Sequence, residues 1–330
     1  MRFLSLALSI LLPAAHIVQA AESEAIVQAH ILPRYALLDS ETAKLADAAE
    51  ADCRPQSEAL QTAYHSAFDA WIGVAHLRFG PSEQGDRAFA LAFWPDPRGS
   101  TPKALGALIR DADPALDAAD SFASVSIAAR GFYALEYLLY DPAFKDAQTA
   151  EYQCRLITAI TQDIHRNAAA IRAGWEDGYG ALLAHPGNDT YRSADEATRQ
   201  VFTALSTGLE FNADTRLGRP LGTFDRPRPN RAEARRSGRS LRHVVLSLAS
   251  LRELAGLISD SDAELDRKFE LALERADRLD DPIFAGVADP AKRFRVEALQ
   301  QSVRDIRSVL SEHVGPRLGI AAGFNSMDGD

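Results

Sequence analysis

Sulfur is scarce in this chain: 330 residues hold two cysteines and two methionines. Neither Cys53 nor Cys154 stands in a CxxC or His-rich spacing, which argues against a structural zinc site built on them. An even cysteine count in an oxidising compartment leads to the expectation of a Cys53–Cys154 disulfide, with two unconnected buried thiols as the alternative. Such a bridge would close a loop of about a hundred residues, a constraint of roughly 3–5 kcal/mol on the chain-entropy account. Several catalytic templates are also missing: GxSxG, the phosphate-binding GxxxxGK[ST], GxGxxG after a strand, and the zinc-hydrolase HExxH. After the N-terminal segment no run approaches ~20 apolar residues, so no transmembrane segment is expected in the mature chain. Positive charge is the minority sign, with a formal net charge of −10, which argues against nucleic acid as a partner. Alternating Val/Ile/Thr runs bounded by turns hardly occur, so strands are not expected.

The first twenty residues have a three-part layout. Met1-Arg2 is a short positive start, Phe3 to Ala15 is uncharged and apolar with Pro13 inside it, and Val18-Gln19-Ala20 is a small-residue cleavage pattern. This reads as a cleavable secretory signal over residues 1–20. The expectation is an exported protein of the periplasm or cell envelope, with a mature chain starting at Ala21.

Helical periodicity dominates the rest of the chain. Val27, Ile31, Tyr35 and Leu38 recur at spacings of three and four, predicting a helix over 24–52 that Pro33 kinks. Further helices are predicted around Leu60–Ala75, over Ser121–Tyr140, and from Leu156 to Trp175. A loop over Ser82–Pro102 carries Phe93-Trp94-Pro95-Asp96-Pro97. The later part repeats the programme: helices over Thr198–Arg216, Arg235–Leu257, Ala263–Asp277 and Ala291–His313, with a Pro/Arg-rich loop over Gly222–Asn230. The expectation is an all-α fold of two four-helix-bundle-like halves, 21–190 and 191–330, descended from an ancient duplication.

Three features carry a family resemblance: Gly131-Phe132-Tyr133-Ala134-Leu135-Glu136, Trp71 followed by Phe79-Gly80-Pro81, and the Phe93-Trp94-Pro95-Asp96 loop. With the signal sequence and the repeated helical layout, the chain resembles the imelysin family of bacterial envelope proteins over nearly all its mature length. That resemblance implies a fold of two helical bundles and a role in iron or haem acquisition, or a metallopeptidase activity. The family motif is GxHxxE, whose His and Glu are metal ligands. Here Gly131 and Glu136 match, and Tyr133 stands in the His position.

Residues three apart on a helix share a side, so Tyr133 and Glu136 are expected to face one cavity. A Tyr–Glu pair is poorer for zinc than His–Glu, whereas phenolate suits ferric iron and haem. The plain alternative is a buried Glu136 carboxylate paired with Arg130 or Arg78. His65, Asp69 and His76 lie near one stripe of the second helix and are further metal candidates; His30 reads as a satisfied helix histidine. Nine arginines crowd into 216–242, and among them Arg235, Arg239 and Arg242 are expected to grip an anionic ligand unless they pair with acidic side chains. The sequence therefore supports an iron- or haem-binding factor with its site near Glu136 between the bundles, with iron, haem or zinc as cofactor and an envelope protein as a candidate partner. A metallopeptidase with the modified motif is the first alternative, and a helical interaction scaffold without the metal is the second.

Overall fold

The computed structural model describes residues 23–320; the signal sequence expected at 1–20 lies outside them. Among the described residues there is no strand, and nine α-helices are eight residues or longer. They are α1 (Leu32–Ala51), α2 (Glu58–Ile72), α3 (Ser100–Asp111), α4 (Gly131–Tyr140), α5 (Ala150–Gly174), α6 (Ala194–Glu210), α7 (Ser240–Ile258), α8 (Ala263–Asp277) and α9 (Pro290–Val309). One group forms where α1 packs on α2 and α5, and α4 on α5; in the other, α7 packs on α6 and α8, and α9 on α6 and α8. Helix α7 also lies against α2, joining the groups, and Ser250 Oγ donates to the Gly73 carbonyl across that seam at 2.7 Å.

Apolar stripes explain the packing. Ile31, Tyr35, Leu38 and Leu45 are buried on one face of the first helical segment, against Ile157, Ile160, Ile164 and Ile171 of α5. Each such aliphatic side chain contributes about 1.5–3 kcal/mol when removed from water. Starts are set by caps: Ser57 accepts from Leu60 N, Ser193 from Glu196 N, and Asp262 from Glu264 N and Leu265 N, supplying partners to amides the helix cannot satisfy itself. The Cys53–Cys154 disulfide ties the end of α1 to α5, with Cα atoms 5.0 Å apart and 101 residues of separation.

Three helix boundaries depart from the periodicity. Pro33 does not kink the first helix; it sits in the first turn of α1, directly after a π turn at Val27–Ile31. Leu32 N–H bonds back to Val27 O, the wider spacing that tolerates proline's missing donor. The expected helix over Ser121–Tyr140 is broken into Ala119–Ala123, a 3₁₀ turn at Ile127–Ala129, and α4. Arg130 is extended, at φ −117° and ψ 164°, so the helix can only start after it. The loop expected up to Pro102 ends at Gly99, because both Asp96 carboxylate oxygens cap the start of α3 through Ser100 N and Thr101 N, each at 2.8 Å.

Candidate functional site

Glycine 131 fixes where α4 begins. Its φ is +75°, and a Cβ there would lie 2.3 Å from the carbonyl oxygens of both Ala90 and Leu91. A side chain is excluded by backbone on one side and by conformation on the other. Arg130, immediately before it, anchors the turn by donating to both oxygens of buried Asp163 at 2.8 and 3.0 Å and to the Ala123 carbonyl. From this start α4 directs Tyr133 and Glu136, one turn apart, at residues 232–239 of the second group.

Both side chains are buried. Tyr133 donates its hydroxyl proton to Glu233 Oε1. The other Glu233 oxygen accepts from Arg216 Nε at 2.7 Å and lies 3.2 Å from His243 Nδ1. Burial alone would raise the Glu233 carboxyl, but Arg216 and His243 more than offset it and hold it down at about 2. Burial also lowers the His243 pKa, and neither ring nitrogen is in hydrogen-bond alignment, so Arg216 is the counter-charge that matters at neutral pH. Burial and the Glu233 charge push the Tyr133 phenol well up.

Glu136 is not paired with an arginine. Its Oε1 accepts from the Ser237 amide at 2.9 Å and the Ser237 hydroxyl at 2.7 Å, while burial raises its pKa despite those bonds. Arg130 serves Asp163 instead, and Arg78 serves Glu83 at 2.6 Å. Helix α7 begins at Ser240 rather than Arg235, because Ala234 and Gly238 adopt positive φ of 45° and 73°; the turns they make bring Glu233 and Ser237 to α4.

The remaining candidates disperse. His65 meets the Tyr140 hydroxyl at 2.9 Å, and burial with Arg239 and Arg242 nearby lowers it to about 4. Asp69 is clasped by Arg239 and by Arg242, the latter at 2.6 Å, so two of the three arginines expected to hold a ligand serve an internal carboxylate. Arg235 makes no ion pair among the described residues, and its Nε is buried without a partner. His76 Nε2 lies 3.1 Å from His30 Nε2, and His30 in turn meets Glu253 at 3.2 Å. His30 is thus a satisfied histidine, with partners in both helical groups. No three His, Cys, Asp or Glu side chains gather at metal-binding spacing among the described residues.

A cavity of about 330 Å³ opens beside this network, between α2, α6 and the Phe93-Trp94 loop. Tyr133, Glu233, Arg216 and His76 share its wall with Trp71, Trp94 and Phe211. The Nδ1 of buried His76 is unpartnered. Glu233, which sequence reasoning missed, left one trace: it and Asp225 are the sole acids within the Arg-dense stretch 216–242. The central residue of the site thus comes from the second helical group, a hundred residues from its phenol partner.

The family profile described as "Peptidase_M75: Imelysin" matches residues 31–310. The chain belongs to the imelysin family. An imelysin-like protein from Psychrobacter arcticum 273-4 shares the fold at a TM-score of 0.79 and 21% identity, covering 98% of this chain and 100% of that one. A putative iron-regulated protein A precursor from Parabacteroides distasonis ATCC 8503 is similar at a TM-score of 0.73 and 13% identity, covering 89% and 94%. Curated protein sequences give no match. No helix among the described residues is long and apolar enough to cross a membrane.

Proposed function

We propose that this imelysin-family chain is an exported binding factor of an iron-uptake system in the periplasm or cell envelope, and that it holds complexed iron or haem in the cleft at Tyr133 and Glu233. The observation that carries this reading is the 330 Å³ cavity whose wall includes a buried Tyr–Glu–Arg network and an unpartnered histidine nitrogen. Buried ion pairs are rarely needed for stability, since apolar replacements often do as well. A cavity with aromatic walls and a few convergent polar groups is the usual form of a small-molecule site, and this volume is at the small end of the range of about 300–1,000 Å³. The iron assignment draws on the iron-regulated relative.

The donor set does not suit a bare metal ion. Arg216 already neutralises Glu233, Arg239 and Arg242 neutralise Asp69, and Ser237 engages Glu136. A cation would have to stand beside a guanidinium and displace the Tyr133 proton, which disfavours the metallopeptidase reading. We further propose that the two helical groups are a duplication divided near residue 190.

Calorimetric titration of the mature chain with a ferric hydroxamate chelate, with hemin and with zinc tests this. Saturable binding of an iron species, weakened about tenfold or more by the cavity-filling Thr203→Trp, is expected. Zinc-dependent peptide cleavage, or no binding of either iron species, contradicts it.

A further inference from the structure

Of the nine arginines of 216–242, four are paired and three others lie near one another unpaired. Arg216, Arg236, Arg239 and Arg242 each grip an internal carboxylate: Glu233, Asp141 and, for the last two, Asp69. Arg219, Arg228 and Arg231 have no carboxylate within ion-pairing distance among the described residues. Arg219 and Arg231 stand on one cavity wall, and burial, with Arg231 and Arg228 nearby, lowers the Arg219 pKa. Like charges held together cost free energy unless something compensates them. The Arg219 guanidinium lies 5.7 Å from the Trp94 ring centroid, and its Nε is shielded from solvent with no hydrogen-bond partner.

Arg219 and Arg231 border a second cavity, of about 130 Å³, which shares Trp94 and Tyr133 with the first. Arg219, Arg231, Asn230 and Arg236 line it with Tyr137. At about 30 Å³ per water it holds the equivalent of a few waters, which suits a compact ion better than an extended ligand. Of the carboxylates on its wall, Asp96 caps α3 through both oxygens, and Glu136 accepts from Ser237 through Oε1 while burial raises the pKa of that carboxyl. Arg236 is held flat on Tyr137, 3.7 Å from the ring centroid, by Asp141 at 2.6 Å. Arg219, Arg231 and Asn230 stand on the same wall as donors with no carboxylate paired to them among the described residues.

We propose that this cavity is an oxyanion site, taking a phosphate-sized tetrahedral anion between Arg219 and Arg231 with Asn230 as a further donor. Planar guanidinium forks present paired N–H groups to such oxygens. The anion would compensate the Arg219–Arg228–Arg231 repulsion and give the shielded Nε its acceptor. The site has its own donors, though it shares Trp94 and Tyr133 with the Tyr133–Glu233 cleft, and it does not rest on the iron reading. Its anion is either free inorganic phosphate or the phosphoryl group of a larger ligand.

Titration of the mature chain with inorganic phosphate in chloride buffer, read by calorimetry and Trp94 fluorescence, tests the proposal. Saturable binding is expected, weakened about tenfold or more by Arg219→Gln and by Arg231→Gln, the scale of one charge-assisted hydrogen bond. Arg226→Gln, outside the cavity, should leave it unchanged. Phosphoserine binding more tightly than phosphate identifies a phosphoryl-bearing ligand, and the reverse identifies the free ion. No binding by the wild-type chain, or equal binding by both Gln variants and wild type when circular dichroism shows all three folded, overturns it.

Discussion

Glu233→Ala would leave the Arg216 guanidinium buried without a counter-charge, keeping only its 3.3 Å bond to Asn212 Oδ1, and the Tyr133 hydroxyl without an acceptor. Stranding one partner of a buried pair costs about 3–5 kcal/mol, so urea denaturation should report a loss of that size. Tyr133→Phe keeps the ring against Phe68 and Trp94 and loses only the hydroxyl, so it should cost roughly 1–2 kcal/mol. Equal losses for the two variants would mean that Arg216 is not the buried partner described. The histidines make stability depend on pH. Burial lowers the folded-state pKa of His30, His76 and His243 below 6.5, with Arg34 adding to the effect at the first two and Glu253 and Glu233 opposing it at His30 and His243 respectively. The folded chain stays neutral at these rings where the unfolded chain takes up protons. Stability is therefore full above the unfolded value and falls as pH drops through it, by up to about 1.4 kcal/mol per pH unit for each histidine. A urea-midpoint series from pH 8 to 5 should show that slope, and His76→Gln should reduce it by about one proton's worth. An unchanged slope in the variant would contradict the buried, neutral His76.

Among the elements, α4 depends on Gly131 more than on its own apolar stripe. Gly131→Ala places a methyl against the Ala90 and Leu91 carbonyls and strains a φ of +75°, which should cost at least about 2–3 kcal/mol in a denaturation series; a wild-type midpoint would show that the helix starts elsewhere. The disulfide spans 101 residues, and its removal in Cys53→Ala/Cys154→Ala should lower stability by up to about 4–5 kcal/mol, measurable against the oxidised wild type. The long helices α1, α5 and α9 were legible because their buried residues recur every three or four positions over several turns. Boundaries were less so, since they depend on single backbone conformations: extended Arg130, positive φ at Gly131 and Gly238, and the Asp96 cap. Apolar residues continue across Ser121–Tyr140 whether or not the chain turns between them, so periodicity could not see the break.

At the scale of the molecule, an all-α fold, without strands among the described residues, followed from pattern alone, and the family followed from the order of a few motifs. The site was half legible. Tyr133 and Glu136 were found because they lie in one motif on one helix. Glu233 and Ser237 were not, because they reach α4 through tertiary contacts a hundred residues long, and sequence spacing carries no information about such a meeting. For the arginine run the acidic pairing given as the alternative holds at two positions: Arg239 and Arg242 meet Asp69 across the α2–α7 seam, while Arg219, Arg228, Arg231 and Arg235 pair with no carboxylate among the described residues. The central claim is that the cavity beside Tyr133, Glu233 and Arg216 receives an iron-bearing ligand. Its most direct test is a competition titration of folded wild type and Thr203→Trp with the ferric hydroxamate chelate and hemin, followed by quenching of the cavity tryptophans. Saturable quenching by one iron species in the wild type, absent from the filled variant, is the predicted result; identical curves for the two proteins would contradict it.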